Sequence, residues 1–370
     1  MRVVPQPRDR VPVRALQVNA FTIPTSSPEA DGTLAWDRTT LVLVELEAGG
    51  QTGIGYSYAD TATAKLIHDT LREVVEDRDA MAVTAAWEAM VRRIRNLGRP
   101  GICSMAIAAV DSALWDLKAK LLDVPLVTLL GQVREGIPLY GSGGFTNYSQ
   151  RQLEEQLSGW IKRGITRVKM KVGTHPSEDA ERVQAVRGAI GKAAELFVDA
   201  NGAYSRKQAL AQAERFAAFN VSWFEEPVSS DDLAGLRLIR DRAPAGMEIA
   251  AGEYGYDLPY FRLMIEAGAV DVLQADATRC AGITGLMRVA ALCEAFCMPL
   301  STHTAPMLHL HPCCAASFMR HLEYFHDHVR IENMLFDGVP EPVNGELRPD
   351  LSRSGMGFEF RWADAERYAA

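Results

Sequence analysis

Between residues 13 and 60 the chain carries short apolar runs of strand type, as in Leu41-Val42-Leu43-Val44-Glu45-Leu46-Glu47. Ala48-Gly49-Gly50 turns the chain and Thr52-Gly53-Ile54-Gly55-Tyr56 follows, so this segment predicts antiparallel hairpins. Ahead of them, Pro24 to Asp37 is polar and rich in Ser, Pro, Gly and Asp, which predicts a flexible loop. Residues 62–97 read as helices. Ala106, Val110, Ala113, Leu114, Leu117 and Leu121 recur at helical spacing, predicting a helix over Ser104–Leu121 with Ser104 as its N-cap.

From about residue 136 the texture changes. Short apolar runs alternate with amphipathic stretches. The runs are Ile137–Tyr140, Arg167–Lys171, Leu196–Asp199, Ser222–Glu225, Ile249–Glu253, Val272–Asp276, Met298–His303 and, more weakly, His321–Tyr324. Most are spaced by roughly 23–30 residues, the period of a βα unit, and eight such units close a (β/α)₈ barrel. A doubly wound open sheet has the same alternation, but no Gly-rich phosphate fingerprint follows a strand here.

Composition adds bounds. With 370 residues, 48% hydrophobic and 23% charged, the chain can bury a large core in two domains. A net charge of −8 argues against a nucleic-acid partner. No run of 18 apolar residues predicts a membrane span. Met1 to Arg8 has no apolar stretch of signal-peptide length, so the expected setting is cytoplasmic. Cys103, Cys280, Cys293, Cys297, Cys313 and Cys314 form no C-x-x-C pair and are expected to be reduced and mostly buried.

The chemistry is suggested by where charge falls. Lys171, Asp199, Glu225, Glu253, Asp276, His303 and Glu323 each lie in or just after one of the short runs. In a barrel all those positions face one mouth, where active sites of this fold are built. Asp199, Glu225 and Glu253 come from consecutive runs and would repel one another without a cation between them. Oxygen-only ligands suit a hard ion such as Mg²⁺, and the lack of Cys or His argues against zinc. Glu226 adjoins Glu225, and spacing alone does not choose between them. Lys169 and Lys171 share a strand face, leaving Val168, Met170 and Val172 for the helix-covered side. Two close ammonium groups beside a metal predict a depressed lysine pKa, which suits a base. Asp276 next to His303 would fix the imidazole tautomer and suit a second acid/base group. Arg279 follows Asp276 and is a candidate contact to an anionic substrate, or else a loop salt bridge. His309 and His311 form an H-x-H pair with no third ligand at a defined spacing.

At these residues the chain resembles the enolase superfamily, in its mandelate racemase subgroup. The resemblance rests on Val168-Lys169-Met170-Lys171-Val172-Gly173, Val198-Asp199-Ala200-Asn201, Trp223-Phe224-Glu225-Glu226-Pro227, Ala251-Gly252-Glu253, Gln274-Ala275-Asp276 and Ser301-Thr302-His303, with Ala109–Lys118 also typical. It covers essentially the whole chain. It implies a modified TIM barrel over 129–350, with an N-terminal α+β capping domain over 1–128 completed by about 351–370. Segments around 22–37 and 56–60 would close the mouth and select substrate.

The resemblance also implies roles. Asp199, Glu225 and Glu253 would hold Mg²⁺, which selects Glu225 over Glu226. Lys171 would be the base on one face of the α-carbon and His303, oriented by Asp276, the acid/base on the other. Lys169, a protonated Glu323 of raised pKa, and Asn201 would contact the substrate or its carboxylate. The implied chemistry is abstraction of a proton α to a carboxylate through an enediolate. The polar segment Thr22–Gly32 favours a sugar acid over an aromatic substrate. Dehydration of an aldonate or aldarate to a 2-keto-3-deoxy acid leads. Opening of a 3,6-anhydro sugar acid or lactone by a cycloisomerase, suggested by Gly98-Arg99-Pro100-Gly101-Ile102, comes next, then racemase or epimerase activity. A non-catalytic, metal-dependent sugar-acid binding protein is the non-enzyme alternative. Homo-oligomers, often octamers, are implied as well.

Overall fold

The computed structural model describes residues 10–370, so the reading of Met1 to Arg8 lies outside the described residues. Ala15–Ala30 (β1), Ala35–Ala48 (β2) and Gln51–Tyr58 (β3) form an antiparallel sheet in that order. The helical segments Thr61–Val75 and Val83–Arg93, the first with a π turn at Ile67–Leu71, lead to a long helix, Ile102–Leu121. Both faces of β2 are buried. Val42, Val44 and Leu46 pack with Ile67, Met90 and Val110, while Leu41 and Leu43 join the core that runs into the barrel. A strand covered on both sides reads as a continuous apolar run. The long helix lies directly on β3. A Cβ on Gly55 would meet the Ala113 backbone N at 2.2 Å, so only glycine permits that approach.

Two local expectations need correction. The segment Pro24 to Asp37 is not one loop: β1 continues to Ala30, with an irregularity after Pro24, Glu29 pairs with Trp36, and only residues 31–34 turn the chain into β2. Its polar side chains misled because the backbone of β2, not a buried apolar face, holds the segment. Nor is Ser104 an N-cap. Gly101, at φ 76°, occupies that position, and the Ser104 hydroxyl donates to the Tyr256 carbonyl at 2.7 Å, tying helix to barrel.

All eight predicted runs are strands. Ile137–Gly143 (β4), Arg167–Lys171 (β5), Glu195–Asp199 (β6), Val221–Glu225 (β7), Glu248–Ala251 (β8), Val272–Ala275 (β9), Leu300–Thr302 (β10) and Leu322–Phe325 (β11) form one sheet, parallel along its path. β11 returns beside β4, and a parallel bridge from Leu300 to Met319 joins β10 to the segment entering β11, curling the sheet into a barrel. Below the site the interior is filled by Tyr140, Phe197, Trp223 and His321, with the Phe197 and Trp223 rings stacked at 5.1 Å. The C-terminal segment packs back on the first sheet: Phe360 and Trp362 lie against Phe21, and the Ala370 N–H donates to the Ala20 carbonyl at 3.0 Å. The six cysteines are free thiols, with Cys297 alone exposed. Among the described residues no helix is long and apolar enough to cross a membrane.

Candidate active site

Strand register places the charges at one level. Lys171 pairs with Asp199 across β5 and β6, and Asp199 with Glu225 across β6 and β7. Glu253 follows β8 after Gly252, whose φ of 139° suits only glycine. Asp199, Glu225 and Glu253 are buried and present carboxylate oxygens all within 4.8 Å of one another, the metal-ligand grouping found among the described residues. Glu226 lies outside it. Glu253 Oε2 is buried without a hydrogen bond, with only His303 Nε2 at 3.5 Å. Three converging carboxylates with an orphaned acceptor fit a hard cation.

Lys169 and Lys171 point inward, as the alternation on β5 demands, while Val168 and Met170 join the outer core. Lys171 Nζ sits 2.5 Å from Asp199 Oδ2. Lys169 Nζ lies 2.5 Å from Glu225, 2.9 Å from Glu323 and 3.4 Å from Asp199. In this arrangement the contacts favour the charged form of both groups. Burial, the largest effect, would lower the Lys171 pKa, but the Asp199, Glu253 and Glu225 carboxylates together outweigh it and hold the ammonium above its usual range. Burial, the largest effect, pushes the Glu323 carboxyl up, but Lys169, His303 and Lys171 together outweigh it and hold the carboxyl below its usual range.

Asp276 follows β9 and His303 follows β10. Their Oδ2 and Nδ1 atoms are 2.8 Å apart, and the Thr278 N–H donates to the other Asp276 oxygen at 2.7 Å. Burial works against the Asp276 charge, yet His303 keeps its carboxyl below the usual range. Asn201 has a left-handed φ of 45° and donates its N–H to Asp199 Oδ1 at 2.9 Å, leaving its buried Oδ1 without a partner. Arg279 makes a salt bridge and also lines the cavity: Nη1 donates to Glu253 Oε1 and to the Glu253 carbonyl, both at 3.2 Å, and the guanidinium covers the Tyr254 ring. The H-x-H pair is not a metal site. His309 Nε2 accepts from the Ala277 N–H and His311 Nδ1 from the Val127 N–H, so each ring is engaged by backbone in a different place.

Lys171, Asn201, Glu253, Asp276, His303 and Glu323 line one cavity of about 390 Å³. Its outer wall comes from the first sheet, through Trp36, Arg38, Thr39, Thr40 and Tyr58, and from Asp31 in the turn between β1 and β2. Trp36, Arg38, Tyr58, Tyr254 and His328 were not singled out from the sequence. Their signal was positional only: Tyr58 in the 56–60 segment, Tyr254 immediately after Glu253.

Comparison with known proteins accords with this geometry. Residues 18–131 match the mandelate racemase / muconate lactonizing enzyme N-terminal domain, and residues 152–365 match the enolase C-terminal domain-like family. A 3,6-anhydro-alpha-L-galactonate cycloisomerase of Streptomyces coelicolor is 32% identical over 84% of this chain and 88% of its own. A mandelate racemase/muconate lactonizing enzyme-like protein from Rubrobacter xylanophilus superposes with a TM-score of 0.95 at 53% identity, covering 97% of this chain and 100% of that one. The L-talarate/galactarate dehydratase of Salmonella typhimurium LT2, liganded with Mg and L-lyxarohydroxamate, superposes with a TM-score of 0.90 at 26% identity, covering 99% and 95%. The chain therefore belongs to the enolase superfamily of enzymes, in its mandelate racemase / muconate lactonizing enzyme family.

Proposed function

We propose that this enzyme removes the proton α to the carboxylate of a sugar acid and dehydrates the resulting enediolate to a 2-keto-3-deoxy acid. The observation that carries the reading is the shared cavity: Lys171 and His303 both line it, and each touches a carboxylate of the Asp199, Glu225, Glu253 trio. Those three residues would hold Mg²⁺, which supplies positive charge where a carboxylate gains a second negative charge. As the neutral amine, its ammonium proton first lost to solvent, Lys171 takes the α-proton at Nζ. His303 acts at Nε2, its Nδ1 being held by Asp276, and delivers a proton to the departing β-hydroxyl. Lys169, wholly buried, pairs with Glu225 and Glu323 rather than lining the cavity, and Asn201 Oδ1 offers an acceptor to a substrate hydroxyl. The cavity wall from the first sheet, polar at Thr39 and Thr40, supports a polyhydroxylated substrate. A capping unit over 1–128 with 351–370, a barrel over 129–350, a homo-oligomer and a cytoplasmic setting complete the reading.

A second reading has support from the Streptomyces coelicolor relative: the same two groups would open a 3,6-anhydro sugar acid or lactone. Racemase or epimerase chemistry would return the proton to carbon. Proton NMR in D₂O with Mg²⁺ and pooled aldonates, aldarates and anhydro sugar acids separates the cases. A keto-deoxy product means dehydration, an opened ring means cycloisomerisation, and appearance of the α-epimer means epimerisation. Lys171→Ala is expected to abolish α-proton loss, by about 10²-fold or more. Loss that persists at the parental rate in Lys171→Ala sinks the mechanism.

A further inference from the structure

His309 is wholly buried and none of the chemistry above uses it. Its Nε2 accepts the Ala277 N–H at 2.8 Å, so that nitrogen carries no proton. The neutral ring then bears its proton on Nδ1, which reaches the carbonyls of Thr304 at 3.0 Å and Ala305 at 2.9 Å. Ala277 directly follows Asp276, and Thr304 directly follows His303. One imidazole therefore spans the two backbone segments that carry the acid/base pair. The bridge has something to restrain. Thr304 and Ala305 are both in left-handed backbone, at φ 50° and 40°, costly for residues with a Cβ. Such a turn persists only when its surroundings over-determine it, and here they do. Glu323 Oε2 accepts the Thr304 N–H at 2.7 Å and His328 Nδ1 accepts the Ala305 N–H at 3.2 Å, so side chains engage both peptide N–H groups and both carbonyls.

We propose that His309 is a positioning residue for the His303–Asp276 pair, locking the β9 and β10 ends in register from beneath the site. The proposal rests on His303 acting as the second acid/base group. Three substitutions separate the bonds: His309→Gln can still accept from Ala277, His309→Asn can still donate to the carbonyls of Thr304 and Ala305, and His309→Leu does neither. With a substrate found by the D₂O assay, two rates are followed: deuterium exchange at the α-carbon, the work of Lys171, and product formation, which needs His303. In His309→Leu, product formation is expected to fall about 100-fold, the scale of an ångström's misplacement, with exchange and KM within about twofold of the parent. Gln and Asn should each recover part of the loss. If His309→Leu fails to fold, the Gln and Asn variants carry the test through the same split. An equal fall in both rates means a merely structural residue and overturns the proposal, as does no fall in either. His303→Asn is run alongside: unchanged product formation there overturns the two-base reading itself rather than the positioning.

Discussion

At the scale of single residues, the site is governed by how four carboxylates and two lysines share charge. Lys169 faces Glu225, Glu323 and Asp199 with no exposed surface of its own. Lys169→Met leaves those carboxylates short of a cation, so a loss of about 3 kcal/mol is expected, read as a lower thermal midpoint. Added Mg²⁺ should restore part of it by binding the folded state. Arg279 makes a different prediction. It holds Glu253 at 3.2 Å, so Arg279→Met should weaken Mg²⁺ binding about tenfold by calorimetry, with little change in KM at saturating metal. A raised KM with unchanged metal affinity would mark Arg279 as a substrate contact instead. The identities of these residues were legible because charge at the end of a buried strand has few bland explanations. Their pairing was not, because contacts such as Glu323 to Lys169 at 2.9 Å bring strands together from distant parts of the chain.

At the scale of elements, the seam between the first sheet and the barrel carries buried acids. Glu332, on the helix His326–Leu335, accepts from the Tyr56 hydroxyl of β3 at 2.8 Å. Burial raises its pKa from 4.5 to about 8. Between those values the folded chain keeps a proton the unfolded chain has lost. Stability from this group is therefore full below about pH 4.5, falls as pH rises towards 8, and then levels. The thermal midpoint should fall from pH 7 to 8 in the parent and fall less in Glu332→Gln. Glu29, raised by burial to about 8, and Asp111, raised by burial to about 7, leave a residual slope. The barrel strands were legible because strands buried on both sides become short apolar runs. Pro24–Ala30 was not, since its strand partner is backbone and its polar side chains imitate a loop.

At the scale of the whole molecule, one apolar cluster runs from Phe21, Leu43 and Tyr56 through Val168 and Phe224 to Phe336 and Phe360. Phe360 packs at 5.2 Å from Phe21 and 5.1 Å from Phe336, joining the C-terminal segment to both units. Phe360→Ala should therefore lower stability by about 3 kcal/mol while leaving one cooperative unfolding transition, by calorimetry. Two separated transitions would mean that the first sheet and the barrel melt independently. The barrel was readable from its period, whereas the return of the C-terminal segment came only from the family resemblance, because it joins residues more than three hundred positions apart. The aromatic floor has its own consequence. Tyr140, Phe197 and Trp223 plug the barrel beneath the carboxylates, making the site a cul-de-sac. Arriving substrate and departing product must then use the same doorway under Trp36 and Tyr58, one after the other. Traffic through it sets a ceiling on turnover however fast the chemistry runs, and accumulated product queues against fresh substrate as a competitive inhibitor.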